Sequence, residues 1–338
     1  YDHLVVALGA STNDRLIAGS SNALTFKTMA DALVLRNHLI EQFERADAAS
    51  ESTTRRGCLT VIVIGGGLVG MELLGELTAF ADDVLRFYPR IRRNEVRFLL
   101  FEAGARVLPE TDELLAVAAR RVLERRGAEI RVSTPVDSIE NDRLRVANET
   151  VHAGTIVLAA GILPSVVASA IPVAHDQRGR IVVDETMRGR SRPKVLALGD
   201  CAGVPAPKGR PYPALAQHAV REARHLARNI EAVIEQRAPT PFVYHSLGTM
   251  ASLGHTRGVA LVSGVRLTGF VPGGSGGPIT SSRCRGGTGA CASSWIGRWA
   301  CSFDRTSRRS SCAASGNRCA RLATWALQPH GARDVGRE

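Results

Sequence analysis

The chain has 338 residues, 44% of them hydrophobic, enough to fill the cores of two domains. Its net charge of +11 resembles a nucleic-acid signature, but ten Arg and three acids in residues 271–338 account for +7 of it. The remaining +4 argues for no nucleic-acid partner, and no aromatic platform or reading helix lies beside the arginines.

No run approaches ~18 uninterrupted apolar residues, so no transmembrane helix is expected. The chain opens on Tyr1 and shows no signal-peptide pattern. Five of the seven cysteines fall in 271–338, leaving only Cys58 and Cys201 in the body. That usage suits a reducing compartment and offers no paired thiols for dithiol chemistry. His and Cys lack ligand spacing, so no metal site is expected.

In chain order, Leu4 to Leu8 read as a buried strand ending in small residues, with Gly9 closing Ala-Leu-Gly. Residues 23–46 carry a helical apolar stripe, and 47–57 are small and polar, as in a linker. From Cys58 the pattern changes. A β-branched run, Leu59 to Ile64, enters Gly65-Gly66-Gly67 and leaves through Gly70 into a helical pattern. This is G-x-G-x-x-G between strand and helix, the context of a dinucleotide loop. Gly65 makes the turn, Gly67 lets backbone approach a pyrophosphate, and Gly70 lets helix and strand pack. The helix N-terminus presents free N–H groups to the phosphates. Without a ligand the same residues would make a plain glycine turn.

A second strand, Val96 to Phe101, ends at Glu102, where an acid can accept from an adenine ribose 2′-OH. A carboxylate there repels a 2′-phosphate, which favours NADH over NADPH; the alternative is a solvated strand-end charge. The acid stands farther from the loop than usual, and 82–94 read as an inserted arm. A helix is predicted over 111–126, then strands at 130–132, 143–146 and 155–161. The last ends in Ala-Ala-Gly at Gly161 and echoes Ala-Leu-Gly at Gly9, as two related nucleotide folds would. Strands follow at 180–183 and 194–200, the latter closing on Gly199-Asp200, where a carboxylate can accept from a sugar or ribityl hydroxyl. A helix over 214–234 and a short piece over 241–260 complete the patterned part.

Taken together, Gly65-x-Gly67-x-x-Gly70-x-Glu72, TIVLAAG, ALGDCAG, ALAQHA and SLGTMASLG resemble the two-dinucleotide-binding-domain flavoproteins. Within these the type II NADH:quinone oxidoreductases are the most similar in pattern, over residues 1 to about 270. The resemblance implies an α/β tandem Rossmann-like fold, with an NADH domain (58–163) inserted in an FAD domain (1–57 and 164–270). It implies FAD and NADH as cofactors, a membrane quinone as electron acceptor, and attachment to the cytoplasmic face of a bacterial inner membrane. It also allows a homodimer. Asp200 matches the acid that holds the FAD ribityl chain, and Glu72 the acid that approaches nicotinamide and flavin. Ala216 and Gln217 match the segment beside the flavin ring and quinone. The alternatives are Glu72 as a solvated helix charge and Gln217 as an ordinary helix residue; His218 reads as a surface residue or a neighbour of the site and not as an acid/base.

By the same resemblance, the loop that cradles the FAD pyrophosphate would precede Tyr1, so the FAD domain is expected to be incomplete. Residues 271–338 hold eleven Gly, ten Ser and ten Arg without periodicity. They read as a disordered basic tail or as translation in a shifted frame, in which case membrane attachment fails and the protein is soluble. Two further readings remain at this level: an NADH-dependent reductase of a small redox protein such as a ferredoxin, and an NAD(H)-binding module without turnover.

Overall fold

The computed structural model describes residues 2–269 apart from Lys208, Leu247, His255 and Thr256. The expectations placed on 271–338 lie outside the described residues. The strands that organise the described part are β1 (Leu4–Val6), β2 (Leu24–Thr25), β3 (Thr60–Ile64), β4 (Arg97–Phe101), β5 (Ala128–Arg131), β6 (Ser138–Glu140), β7 (Arg143–Val146), β8 (Glu149–His152), β9 (Thr155–Leu158), β10 (Val195–Ala197), β11 (Gly248–Ser252), β12 (Gly258–Val262) and β13 (Val265–Gly269). The longer helices are α1 (Met29–Ala48), α2 (Leu68–Val84), α3 (Glu113–Arg125) and α4 (Ala216–Ile234).

Five strands form one parallel sheet in the order β2-β9-β3-β4-β5. Side chains alternate across a strand, so β3 and β4 feed two cores at once. Val61, Val63, Phe98 and Leu100 pack with α1, α2 and α3, while Ile62, Ile64, Leu99 and Phe101 meet the antiparallel meander β6-β7-β8 through Ile139, Leu144 and Val151. Burial on both faces is why these strands read as unbroken apolar runs.

A second core gathers around the parallel pair β1·β10, with Val6, Leu196, Leu198, Tyr212, Leu226 and Phe242. Three strand ends break out at glycines with positive φ: Gly9 at 63°, Gly161 at 70° and Gly199 at 71°. The chain leaving Gly9 then pairs antiparallel with the chain leaving Gly161, Ser11 opposite Leu163. The repeated small-residue endings therefore bring the two strand systems together.

Three local expectations are corrected. The stripe over 23–46 begins as strand, because Leu24 and Thr25 join the sheet edge and the helix starts only after the Thr28–Asp31 capping box. The 47–57 linker is largely helical: α1 runs to Ala48 and a short helix covers Ser52–Cys58, tied down by Arg55 to Glu95 at 2.8 Å. The arm at 82–94 is an extension of α2 into short turns, held by Tyr88 stacked on Phe43 and bonded to Glu44. The piece over 241–260 proves to be the start of a three-stranded antiparallel sheet, β11-β12-β13. It is seated on α2 and α3: Arg266 of β13 forks onto Asp112, the N-cap of α3, with both bonds at 2.8 Å.

Candidate dinucleotide and electron-transfer site

The glycine loop sits at the carboxyl end of β3, the central strand of the parallel sheet, where ligands bind in folds of this kind. Its three glycines have different causes. Gly65 lies at φ 108°, a conformation side chains resist, and its N–H donates to the Phe101 carbonyl at 2.8 Å. A Cβ on Gly70 would stand 1.8 Å from the Gly65 carbonyl oxygen, so only glycine lets α2 close on the loop. Gly67, the N-cap of α2, has an ordinary φ of −70°, and a Cβ there would meet no protein atom within 4 Å. Nothing inside the protein demands glycine at 67. The position is an open one at a helix N-terminus, which favours an anionic group.

Glu102 follows β4 and is bound into the loop itself. Its carboxylate accepts the Gly66 N–H and the Gly104 N–H, each at 2.6 Å. Each carboxylate oxygen has a further lone pair, so two acceptor positions remain for a hydroxyl.

Glu72 lies one turn into α2 and accepts the Ser252 N–H of β11 at 3.1 Å. Gln217, in the first turn of α4, bonds to the other end of that strand, donating to Gly248 O at 3.4 Å and to Ser246 Oγ at 3.3 Å. One strand thus carries both expected reaction residues, four residues or about 13 Å apart along its length. Tyr244 adds a hydroxyl to Gln217 Oε1 at 3.4 Å, with the Arg221 guanidinium 4.3 Å over its ring. Ala216 is exposed beside Gln217. His218 is buried between Tyr212 and Tyr244, and burial pulls its pKa below the ordinary histidine value.

Asp200 stands at the carboxyl end of β10, after Gly199, and is half-buried. Two residues that sequence reasoning missed complete its surroundings. Lys27, between β2 and α1, reaches Asp200 at 3.4 Å. Glu222, buried on α4, accepts the Gly199 N–H at 2.7 Å, and burial raises its pKa. Neither had a local signal, because a lysine before a helix and a glutamate on one look like solvated charges. The structure brings Gly65, Gly67, Gly70 and Glu102 into one cluster, and Gly199, Asp200 and Lys27 into another. Gly9 and Gly161 lie at the crossing between the strand systems.

Among the described residues, no group of three or more His, Cys, Asp or Glu is placed to hold a metal, and Cys58 and Cys201 are both free and buried. Among the same residues no helix is long and apolar enough to cross a membrane.

A family model described as pyridine nucleotide-disulphide oxidoreductase matches residues 1–223. A Dictyostelium discoideum protein named as an NADH dehydrogenase is 31% identical over 278 residues, covering 80% of this chain and 61% of that protein. A type II NADH:quinone oxidoreductase of Staphylococcus haemolyticus is also 31% identical, over 275 residues, covering 80% of this chain and 67% of its own. The chain therefore spans roughly two thirds or less of the length of these relatives. Among solved structures, NDH2 from Plasmodium falciparum in complex with NADH shares the fold, with a TM-score of 0.76 at 18% identity over 92% of this chain and 78% of that one.

Proposed function

Because the chain belongs to the pyridine nucleotide-disulphide oxidoreductase family, we propose that it serves an FAD-dependent, non-proton-pumping NADH dehydrogenase whose electrons pass to a quinone. The observation that carries this is Gly67, a glycine that no protein contact requires, at a helix N-terminus on the carboxyl edge of a parallel sheet. The two relatives named above support the choice of NADH and quinone.

In this reading Gly65, Gly67 and Gly70 hold the NADH pyrophosphate, and Glu102 accepts from the adenine ribose while its charge rejects a 2′-phosphate. The residues around β10 suit the second cofactor: Asp200 is an acceptor for a ribityl chain, held in place by Lys27 and by the Glu222–Gly199 bond. Gly9, Gly161 and Gly199 keep side chains off the path between the two clusters. Bound FAD would supply the two-electron carrier chemistry that no side chain here provides. Glu72 and Gln217 orient the reacting partners from the two ends of β11, and Ala216 leaves room beside Gln217.

The corresponding organisation is an NADH domain over 58–163, set between segments 1–57 and 164–270 of the FAD domain. Quinones are lipid-soluble, so the protein meets its acceptor at a membrane surface; we place it on the cytoplasmic face of a bacterial inner membrane, with a homodimer as its assembly.

The test is spectroscopic and kinetic. Purified protein supplied with FAD should show bound-flavin absorbance, and NADH should bleach it. Oxidation of NADH should then follow added quinone and not added ferredoxin. A colourless protein that binds NADH without turnover, or one that reduces only ferredoxin, overturns the assignment.

A further inference from the structure

The dinucleotide reading leaves Glu76, a buried carboxyl, without a task. Glu76 lies on α2 one turn beyond Glu72 and is only 6% exposed. Residues four apart on a helix share a face, and here both carboxylates meet the same residue of β11. Ser252 gives its N–H to Glu72 at 3.1 Å and its hydroxyl to Glu76 at 3.5 Å.

Among the described residues no cation forms an ion pair with Glu76. Arg126, at the end of α3, carries the nearest compensating charge, but its guanidinium bonds to the carbonyls of Leu253 and Gly254. Arg126 itself also feels Asp82 on α2, paired with Arg93 at 2.5 Å, and Arg257 beside the antiparallel sheet. The sheet is also held tightly against α2. A Cβ on Gly75 would lie 2.4 Å from the Leu253 carbonyl carbon, and one on Gly254 would lie 2.2 Å from the Gly75 carbonyl oxygen. Two carboxylates one turn apart, one of them sealed under a packed sheet, are costly to ionise together.

We propose that Glu76, sealed under the sheet and sharing Ser252 with Glu72, holds a proton near neutral pH, so that Glu76 is a positioning residue that keeps a second negative charge away from Glu72. The inference rests on the reading above that Glu72 faces the NADH nicotinamide. The arrangement leaves one ionised carboxylate where hydride loss makes the nicotinamide positive, without the repulsion a doubly charged pair would exert on an anionic dinucleotide. Burial, with the Glu72 charge as second cause, supports this by raising Glu76 to about 7.

Infrared difference spectra of the full chain between pH 5.5 and 8.5 test it. A protonated carboxyl band should titrate near neutrality in the wild type and vanish in Glu76→Gln. It should titrate at lower pH in Glu72→Gln, where the like charge is gone, and at higher pH in Ser252→Ala, where a hydroxyl donor is lost. NADH affinity, read from fluorescence, should fall at least threefold between pH 6 and 8 in the wild type and stay flat in Glu76→Gln. Absence of the band, its persistence in Glu76→Gln, or an unmoved midpoint in both Glu72→Gln and Ser252→Ala overturns the proton on Glu76. If the wild type does not bind NADH at all, the functional reading fails, and the infrared bands still decide the pair.

Discussion

At the scale of single residues, the glycine loop separates a glycine the fold needs from one it does not. Gly70 is required by contact with Gly65, whereas a Cβ on Gly67 would meet no other protein atom within 4 Å. Gly70→Ala should therefore destabilise the protein by about 3 kcal/mol, at or above the usual cost of overpacking. Gly67→Ala should cost less than about 1 kcal/mol, since the position is an open N-cap. The order reverses for binding: Gly67→Ala should weaken NADH about tenfold, worth about 1.4 kcal/mol. Thermal melts and NADH titrations of the two variants distinguish these effects; a Gly67→Ala protein that binds NADH normally would remove the main support for the site. Glu102→Gln keeps the shape of the loop brace but loses the charge. It should narrow the preference for NADH over NADPH, measured as the ratio of their dissociation constants.

Among elements, α2 does two jobs. Its N-terminus meets the glycine loop, and its flank carries the antiparallel sheet through the Gly75–Gly254 contact. Gly75→Ala should lift β11 away, lowering the melting temperature and disturbing Glu72 and Gln217 together, because both bond to that strand. Loss of one anchorage without the other, read from the effects on NADH and quinone saturation, would contradict the shared strand. The far edge of the sheet is tied by Arg266 to Asp112, whose carboxyl that partner holds at about 2, below the ordinary 3.8. A depressed acid stabilises the fold above its unfolded value and ceases to as pH falls through its folded one. The melting difference between the wild type and Asp112→Asn should thus shrink as pH falls from 5 toward 2.

At the scale of the whole described fold, buried acids weaken stability as pH rises toward neutrality. Glu76 is raised from 4.5 to about 7, so the folded state holds a proton that the unfolded chain has already lost. Stability from this group is intact below about pH 4.5, declines as pH climbs to about 7, and is level beyond. Glu222, also raised by burial, acts in the same direction. Glu76→Gln should therefore be more stable than the wild type at pH 8, by up to about 3 kcal/mol, and equal to it near pH 4. Denaturant melts at both pH values check the sign; a variant less stable at pH 8 would show that the carboxylate is paired after all.

The sequence by itself determined the local chemistry. Gly65, Gly67 and Gly70 declare their loop because a tight turn and a close backbone approach restrict residue type within a few positions. The β-branched runs at 59–64 and 155–158 declare a parallel sheet because both of their faces are buried. Glu102 and Asp200 were legible as strand-end acids for the same reason. What only the tertiary structure decided is which distant charges meet. Lys27 reaches Asp200 across 173 positions of chain, Ser252 meets Glu72 across 180, and Glu222 turns inward to Gly199. Likewise Leu24 and Thr25 became strand because β9 offered an open edge, although their own pattern reads as helix. A periodic pattern records which face of an element is buried, but not the partner that buries it. For that reason the glycine loop could be read in advance, while the carboxylate pair behind it could not.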